Sequence, residues 1–135
     1  DGLSAAQWRV APRVDLMDLY GAHERQYVDS MLSIFESMEK GSFPHIALDP
    51  PCNEIIITPG SREACLRAAG AVTAAIDDVI SEKCANAFCA VRPPGHRASV
   101  SGSVSFCVFN NIAVGVSRAR RVHQISKVCY HHVTS

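Results

Sequence analysis

Two stretches of this 135-residue chain carry side chains that could do chemistry. Residues 90–98 read Ala-Val-Arg-Pro-Pro-Gly-His-Arg-Ala, so that an apolar run enters a stiff turn presenting His96. Near the other end, Cys129 and His131 occupy alternate positions, and His132 follows. Alternate side chains of a strand share one face, and imidazole and thiolate are metal ligands. Open α/β folds build their sites at the carboxyl ends of strands. The sequence therefore indicates a histidine site at such an end.

The helices that would position these residues follow from apolar residues repeated at helical spacing. We predict helices over about residues 14–19, 23–40, 59–82 and from 110 onward. Thr58 is the expected cap of the third, with Pro59 in its first turn. Asn110 and Asn111 are the expected cap of the fourth.

The strands are predicted from short runs of β-branched or apolar residues, at 54–57, 87–91 and 125–130. Residues 41–53 and 98–105 are expected to be loops, because the first range holds three prolines and the second is rich in Ser and Gly. The alternation of helix and strand predicts an α/β fold with a parallel sheet flanked by helices. Phe88, Val91, Phe106 and Phe109 are expected in its core.

Composition excludes several classes of function. Thirteen basic residues balance thirteen acidic ones, so no overall charge attracts nucleic acid or an anionic membrane. The run Arg118–Arg121 is expected to complement a helix C-terminus, and a nucleic-acid patch is the alternative. No window approaches the roughly 20 apolar residues of a membrane span. Six cysteines match no zinc framework and predict reduced residues of an intracellular protein, with a disulfide framework as the alternative.

The histidine turn, together with Phe-Cys-Val-Phe-Asn-Asn-Ile-Ala-Val at 106–114, resembles the zinc-dependent histone deacetylase family, particularly its class II and bacterial branch. Weaker similarities lie at 23–30, His-Glu-Arg-Gln-Tyr-Val-Asp-Ser, and at 58–72. The resemblance implies a partial three-layer arginase/deacetylase-like fold. In it, residues 1–135 would be a single domain, equivalent to the N-terminal portion of the catalytic domain.

The resemblance also implies a reaction, the hydrolysis of an N-acetyl-lysine amide, in which zinc polarises the carbonyl and binds the attacking water. Two adjacent histidines serve it, the second as base. Here His96 matches the first and Arg97 stands at the second. A guanidinium has no acceptor lone pair and stays charged, so Arg97 cannot take a proton. His96 is therefore expected to be a vestigial catalytic residue.

Two further departures concern the substrate channel and the metal. Phe106 matches the aromatic wall of the acetyl-lysine tunnel, and Ser105 replaces a glycine, which suggests a narrowed channel. The family's run Asp-x-Asp-x-His-His is matched by Lys127–His132, where the histidines remain and neither Asp is present. We therefore expect no metal site and no cofactor in this chain, although the family uses zinc.

Three functions stay open. The chain is a degenerate deacetylase-like protein, or a zinc-dependent acetyl-lysine deacetylase that is a fragment or is completed by another chain, or a structural subunit. Exposed strand edges invite association, so we join the first and third: an inactive, deacetylase-derived protein that contacts other protein chains. An acetyl-lysine peptide would be a partner only if the chain is active. Direct nucleic-acid binding is not expected, and nucleus, cytoplasm and organelle are left open.

Overall fold

The computed structural model describes residues 6–41, 45–48 and 55–133. Four helices and two short strands are formed there: α1 (Leu16–Tyr20), α2 (Arg25–Glu39), β1 (Ile46–Leu48), β2 (Ile55–Ile57), α3 (Ser61–Ile80) and α4 (Asn111–His123). Cys52, most of the loop predicted at 41–53 and position 54 of the predicted strand lie outside the described residues.

The predicted helices are confirmed, with small shifts at their ends. α2 buries one stripe, Val28, Met31, Phe35 and Met38, as its spacing predicts. The cap predicted at Thr58 is wrong, because α3 begins at Ser61 and Gly60 is its N-cap. Gly60 has φ +93°, a left-handed conformation that glycine adopts without strain.

Helices α3 and α4 pack side by side in the same direction. Gly115 of α4 lies against Val72 and Ile76 of α3, and a Cβ at position 115 would sit 2.7 Å from the Val72 side chain. Three residues further along α4, Arg118 donates to the carboxylate of Asp77, which follows Ile76 in α3, at 2.8 Å. The main buried cluster joins these helices to α2 and β2; its largest members are Phe35, Phe109, Leu19, Met38 and Ile57.

A strap formed by residues 9–14 lies along α3. Its backbone is held where Val14 N–H donates to the Leu66 carbonyl at 3.0 Å and where Arg67 donates to the Ala11 carbonyl. A Cβ on Gly70 would collide with the Pro12 carbonyl oxygen, so the close approach of the strap requires glycine at this position.

A charged cluster ties α1 to α4. The carboxylate of Asp18 is fully buried and accepts hydrogen bonds from Arg118 at 3.4 Å and from Arg121 at 2.6 Å. The carboxylate of Asp77 lies 2.6 Å from His123 Nε2 and also accepts a hydrogen bond from Arg118. Hydrogen bonding to Arg118 holds the pKa of Asp77 below its usual range. Two arginines of the basic run are thus engaged with acidic residues of the fold.

The sheet differs from the prediction. β1 lies inside the predicted loop and pairs antiparallel with β2, Ile46 opposite Ile57. In the described parts of the chain the predicted strands 87–91 and 125–130 have no ladder partner, so a parallel sheet is not formed there. The core position expected of Phe88 is wrong, since 91% of this residue is exposed. The apolar residues of a central strand become buried only when neighbouring strands pair with it and helices cover the faces of the sheet.

The cysteines in the described ranges are all free, and Cys65 and Cys107 are buried. Within the same ranges no helix has the length and apolarity needed to cross a bilayer.

Candidate functional site

The histidine turn is held against the start of α4 by two asparagines. Asn110 caps the helix, as predicted, because its Oδ1 accepts from Ala113 N–H at 3.0 Å. Asn111 lies inside the helix and is buried, and its Nδ2 donates to the carbonyls of Pro93 and Pro94 at 3.0 and 3.1 Å. The cap predicted at Asn111 is wrong; this side chain clamps the turn instead.

The turn leaves no room for a side chain at its centre. Gly95 is buried with φ +86°, and a Cβ there would lie 2.5 Å from the Phe109 carbonyl oxygen and 2.8 Å from the Asn111 nitrogen. The Arg92–Pro93 peptide bond is cis. The turn that presents residue 96 is therefore packed tightly onto the helix that follows it.

His96 is partly buried and meets the C-terminal segment. Its ring lies 5.0 Å from the ring of His132, centroid to centroid, and the ring of Tyr130 stacks on His132 at 6.1 Å. Cys129 and His131 are exposed, as is Arg97. The two histidine segments singled out in the sequence thus come together, through His96 and His132.

Among the described residues, fewer metal donors meet beside the turn than a catalytic zinc takes. In the described ranges no three His, Cys, Asp or Glu side chains lie close enough to share a metal, whereas a catalytic zinc takes three protein ligands and an open position. The donors that do meet are two imidazoles, and no carboxylate of the described residues joins them.

Phe106 and Ser105 lie on the loop that precedes α4. Both have positive φ, +65° and +40°, which is unfavourable for residues other than glycine. Phe106 is 53% exposed, so its predicted core position is wrong. It borders an apolar cleft of about 450 Å³, lined also by Arg92, Val108 and Cys65. Burial raises the pKa of the Cys65 thiol to about 12. An aromatic side chain beside a cleft suits an alkyl chain, and the predicted tunnel wall stays a prediction.

Sequence reasoning gave His23 only a helix-start position. The structure buries its ring between Tyr27 and Phe109, at centroid distances of 5.5 and 5.7 Å. Its Nε2 accepts from Asn110 N–H at 2.9 Å. Tyr27, four residues later in the first turn of α2, was the available signal, because a helix predicted to begin at residue 23 would bring the two rings together.

The chain is similar to known deacetylases. The sequence model of the histone deacetylase domain matches residues 2–132. Over 128 residues the chain is 33% identical to the histone deacetylase-like amidohydrolase of Pseudomonas aeruginosa, covering 94% of this chain and 31% of that protein. It is 40% identical over 78 residues to histone deacetylase 6 of Caenorhabditis elegans, covering 56% of this chain and 8% of the relative.

The fold has a solved counterpart. The crystal structure of the HDA15 HD domain superposes with a TM-score of 0.70 and 25% identity over 82% of this chain, which corresponds to 30% of that chain. The chain thus spans less than a third of the length of these relatives.

Proposed function

This chain belongs to the histone deacetylase family, and we propose that it does not hydrolyse acetyl-lysine itself and instead makes contacts with other protein chains. The observation that carries the proposal is Arg97, which follows His96 in a turn that is otherwise preserved. A general base needs a lone pair at the operating pH, and a guanidinium offers none.

The donor chemistry around the turn supports the same proposal. His96 faces His132, and the guanidinium of Arg97 adds a fixed positive charge to this part of the surface. Binding of a zinc ion near this charge would be favoured by carboxylates that offset it. Among the described residues, no carboxylate joins the two imidazoles. We therefore propose that this chain binds no catalytic zinc on its own.

The contact surface is proposed to be the pair of extended segments 84–91 and 124–133. Each follows one of the two parallel helices, α3 and α4. His96 lies beyond the first segment and His132 lies within the second, and their rings are 5.0 Å apart. Large apolar residues are exposed along them: Phe88, Ile125, Val128, Tyr130 and Val133. Apolar extended backbone of this kind favours pairing with additional strands, and in the proposed arrangement these segments become neighbouring parallel strands.

The absence of activity is tested with the purified chain, Zn²⁺ and an acetyl-lysine peptide. We expect no deacetylation and no stoichiometric metal. Arg97→His alone is expected to restore neither, because it supplies a base without supplying carboxylate ligands. Turnover by the unmodified chain contradicts the proposal.

The contact surface is tested by light scattering across a concentration series. We expect the chain to associate and Phe88→Asp to reduce the association. Trp8→Asp is the matched control, because Trp8 is 79% exposed, immediately precedes the strap and lies outside the proposed surface. A chain that stays monomeric throughout, or two variants with equal effects, argues against the surface.

A second candidate is a zinc-dependent acetyl-lysine deacetylase that is a fragment or is completed by another chain. It is favoured by the approach of His96 to His132 and by a match that spans 94% of this chain. The test mixes the chain with the part of the Pseudomonas relative that follows the matched region. Turnover with Arg97 present supports this candidate. If the mixture turns over substrate only when Arg97 is replaced by His, the result supports the proposal that Arg97 abolishes catalysis.

A further inference from the structure

One imidazole holds both ends of the loop that carries Ser105 and Phe106. His23 Nε2 accepts the backbone N–H of Asn110 at 2.9 Å, and its Nδ1 lies 3.3 Å from the carbonyl oxygen of Val100. A backbone N–H can only donate and a carbonyl can only accept, so Nε2 carries no proton and Nδ1 carries one. The contacts thus require the neutral Nδ1–H tautomer.

The ring of His23 is buried. Only 3% of His23 is exposed, and the rings of Tyr27 and Phe109 pack against it. The Tyr27 hydroxyl donates to the Val108 carbonyl at 2.6 Å, and Glu24 N–H donates to the Val100 carbonyl at 2.9 Å. Residues 23–27, at and just before the start of α2, therefore bind residues 100, 108 and 110 of one loop.

The loop between those contacts is held in an unfavourable conformation. Ser105 and Phe106 have left-handed backbone angles, and two hydrogen bonds between Val104 and Cys107 close the tip. Such conformations persist where the surrounding structure fixes them. The contacts at the base of the loop supply that restraint.

We infer that His23 is a positioning residue: its neutral ring joins the two ends of loop 100–110 and so sets the position of Phe106, and protonation of the ring releases the loop. The inference is independent of whether the chain hydrolyses acetyl-lysine. A protonated imidazole has two donors and no acceptor, so Asn110 N–H would lose its partner and face an N–H group.

The surroundings favour the neutral ring. Burial is the largest effect and lowers the pKa of His23, and the carbonyls of Val100 and Ser99 act in the opposite direction. The titratable side chain packed on the ring is Tyr27, whose pKa burial raises, so its phenol stays neutral. The loop and α4 contribute backbone groups and the Phe109 ring, which carry no charge. Release is therefore expected on acidification below neutral pH.

The first measurement uses the full chain with uniform ¹⁵N labelling, which reports both the histidine ring nitrogens and the backbone amides. At pH 7 we expect His23 to show the Nδ1–H tautomer and a bare Nε2. As the pH falls, the ring, the amide of Asn110 and the amide of Phe106 should change with one midpoint. A protonated ring or an Nε2–H tautomer at pH 7, or a loop that stays protected once the ring is protonated, overturns the inference.

Variants separate positioning from packing. His23→Phe keeps an aromatic ring and removes both hydrogen bonds, and we expect the Asn110 amide to exchange about tenfold to hundredfold faster. His23→Gln can still accept from that amide and should retain most of the protection while losing the pH dependence. His45→Gln is the control, because His45 is exposed. Unchanged exchange in His23→Phe contradicts the inference. If that variant does not fold, the tautomer and the shared midpoint of the unmodified chain decide.

Discussion

Replacing Gly95 by alanine tests how tightly the histidine turn packs on α4. Two costs add at this position. The first is the left-handed conformation, φ +86°, which costs a residue with a Cβ about 1–2 kcal/mol. The second is steric, because the new Cβ would lie 2.5 Å from the Phe109 carbonyl oxygen and 2.8 Å from the Asn111 nitrogen. These are backbone atoms and cannot rotate away, which adds about 1–3 kcal/mol. We expect a total loss of roughly 2–5 kcal/mol.

Gly41→Ala is the matched control for the conformational cost. Gly41 has φ +73°, and no described atom lies within 4 Å of a Cβ built there. Only the first cost of about 1–2 kcal/mol applies, so the difference between the two variants measures the steric contribution alone.

The assay is urea unfolding followed by circular dichroism at 222 nm, which gives the free energy of unfolding of each variant. Equal losses in Gly95→Ala and Gly41→Ala would refute the reasoning, because the turn would then move away from α4 without cost.

Three further predictions concern the clamp, the charged cluster and the thiols. Asn111→Ala removes two hydrogen bonds and should lower the free energy of unfolding by about 1–3 kcal/mol, whereas Asn86→Ala, at an exposed position, should change it by less than about 0.5 kcal/mol; similar losses would contradict the clamp. Hydrogen bonding to a guanidinium depresses the pKa of Asp77 in the folded state, so its stabilisation is present above about pH 4 and is lost on further acidification. Asp77→Asn should therefore flatten the pH dependence of stability below about pH 4, and an unchanged slope would contradict this prediction. Iodoacetamide at pH 8 should modify exposed Cys129 and spare Cys65, whose pKa burial raises to about 12; peptide mass mapping measures both, and rapid labelling of Cys65 in the folded chain would show that it is accessible.

Local sequence patterns correctly predicted the structural features that depend on residues close together in the chain. The apolar stripe of α2 and the cap at Asn110 are confirmed, because helix periodicity and capping involve contacts within about four residues. The strands at 87–91 and 125–130 were predicted from apolarity alone, and apolarity does not supply the neighbouring backbone that a ladder requires.

The site divides in the same way. The turn, Arg97 and the pair of histidine segments could be found from residue types and spacing. The position of His23 could not, since its partner Asn110 is 87 residues away in the chain. The clamp by Asn111 was missed for a related reason: an asparagine at the start of a helix is expected to cap it, and only the fold brings the Pro93 and Pro94 carbonyls within its reach.

The contacts of one imidazole with residues 100 and 110 have a consequence for sequence variation. Because the base of this loop is fixed independently of its tip, residues 101–104 can accept insertions or deletions without shifting the first turn of α4. Length differences among relatives should therefore concentrate at residues 101–104, and a reporter peptide for this chain is best inserted there.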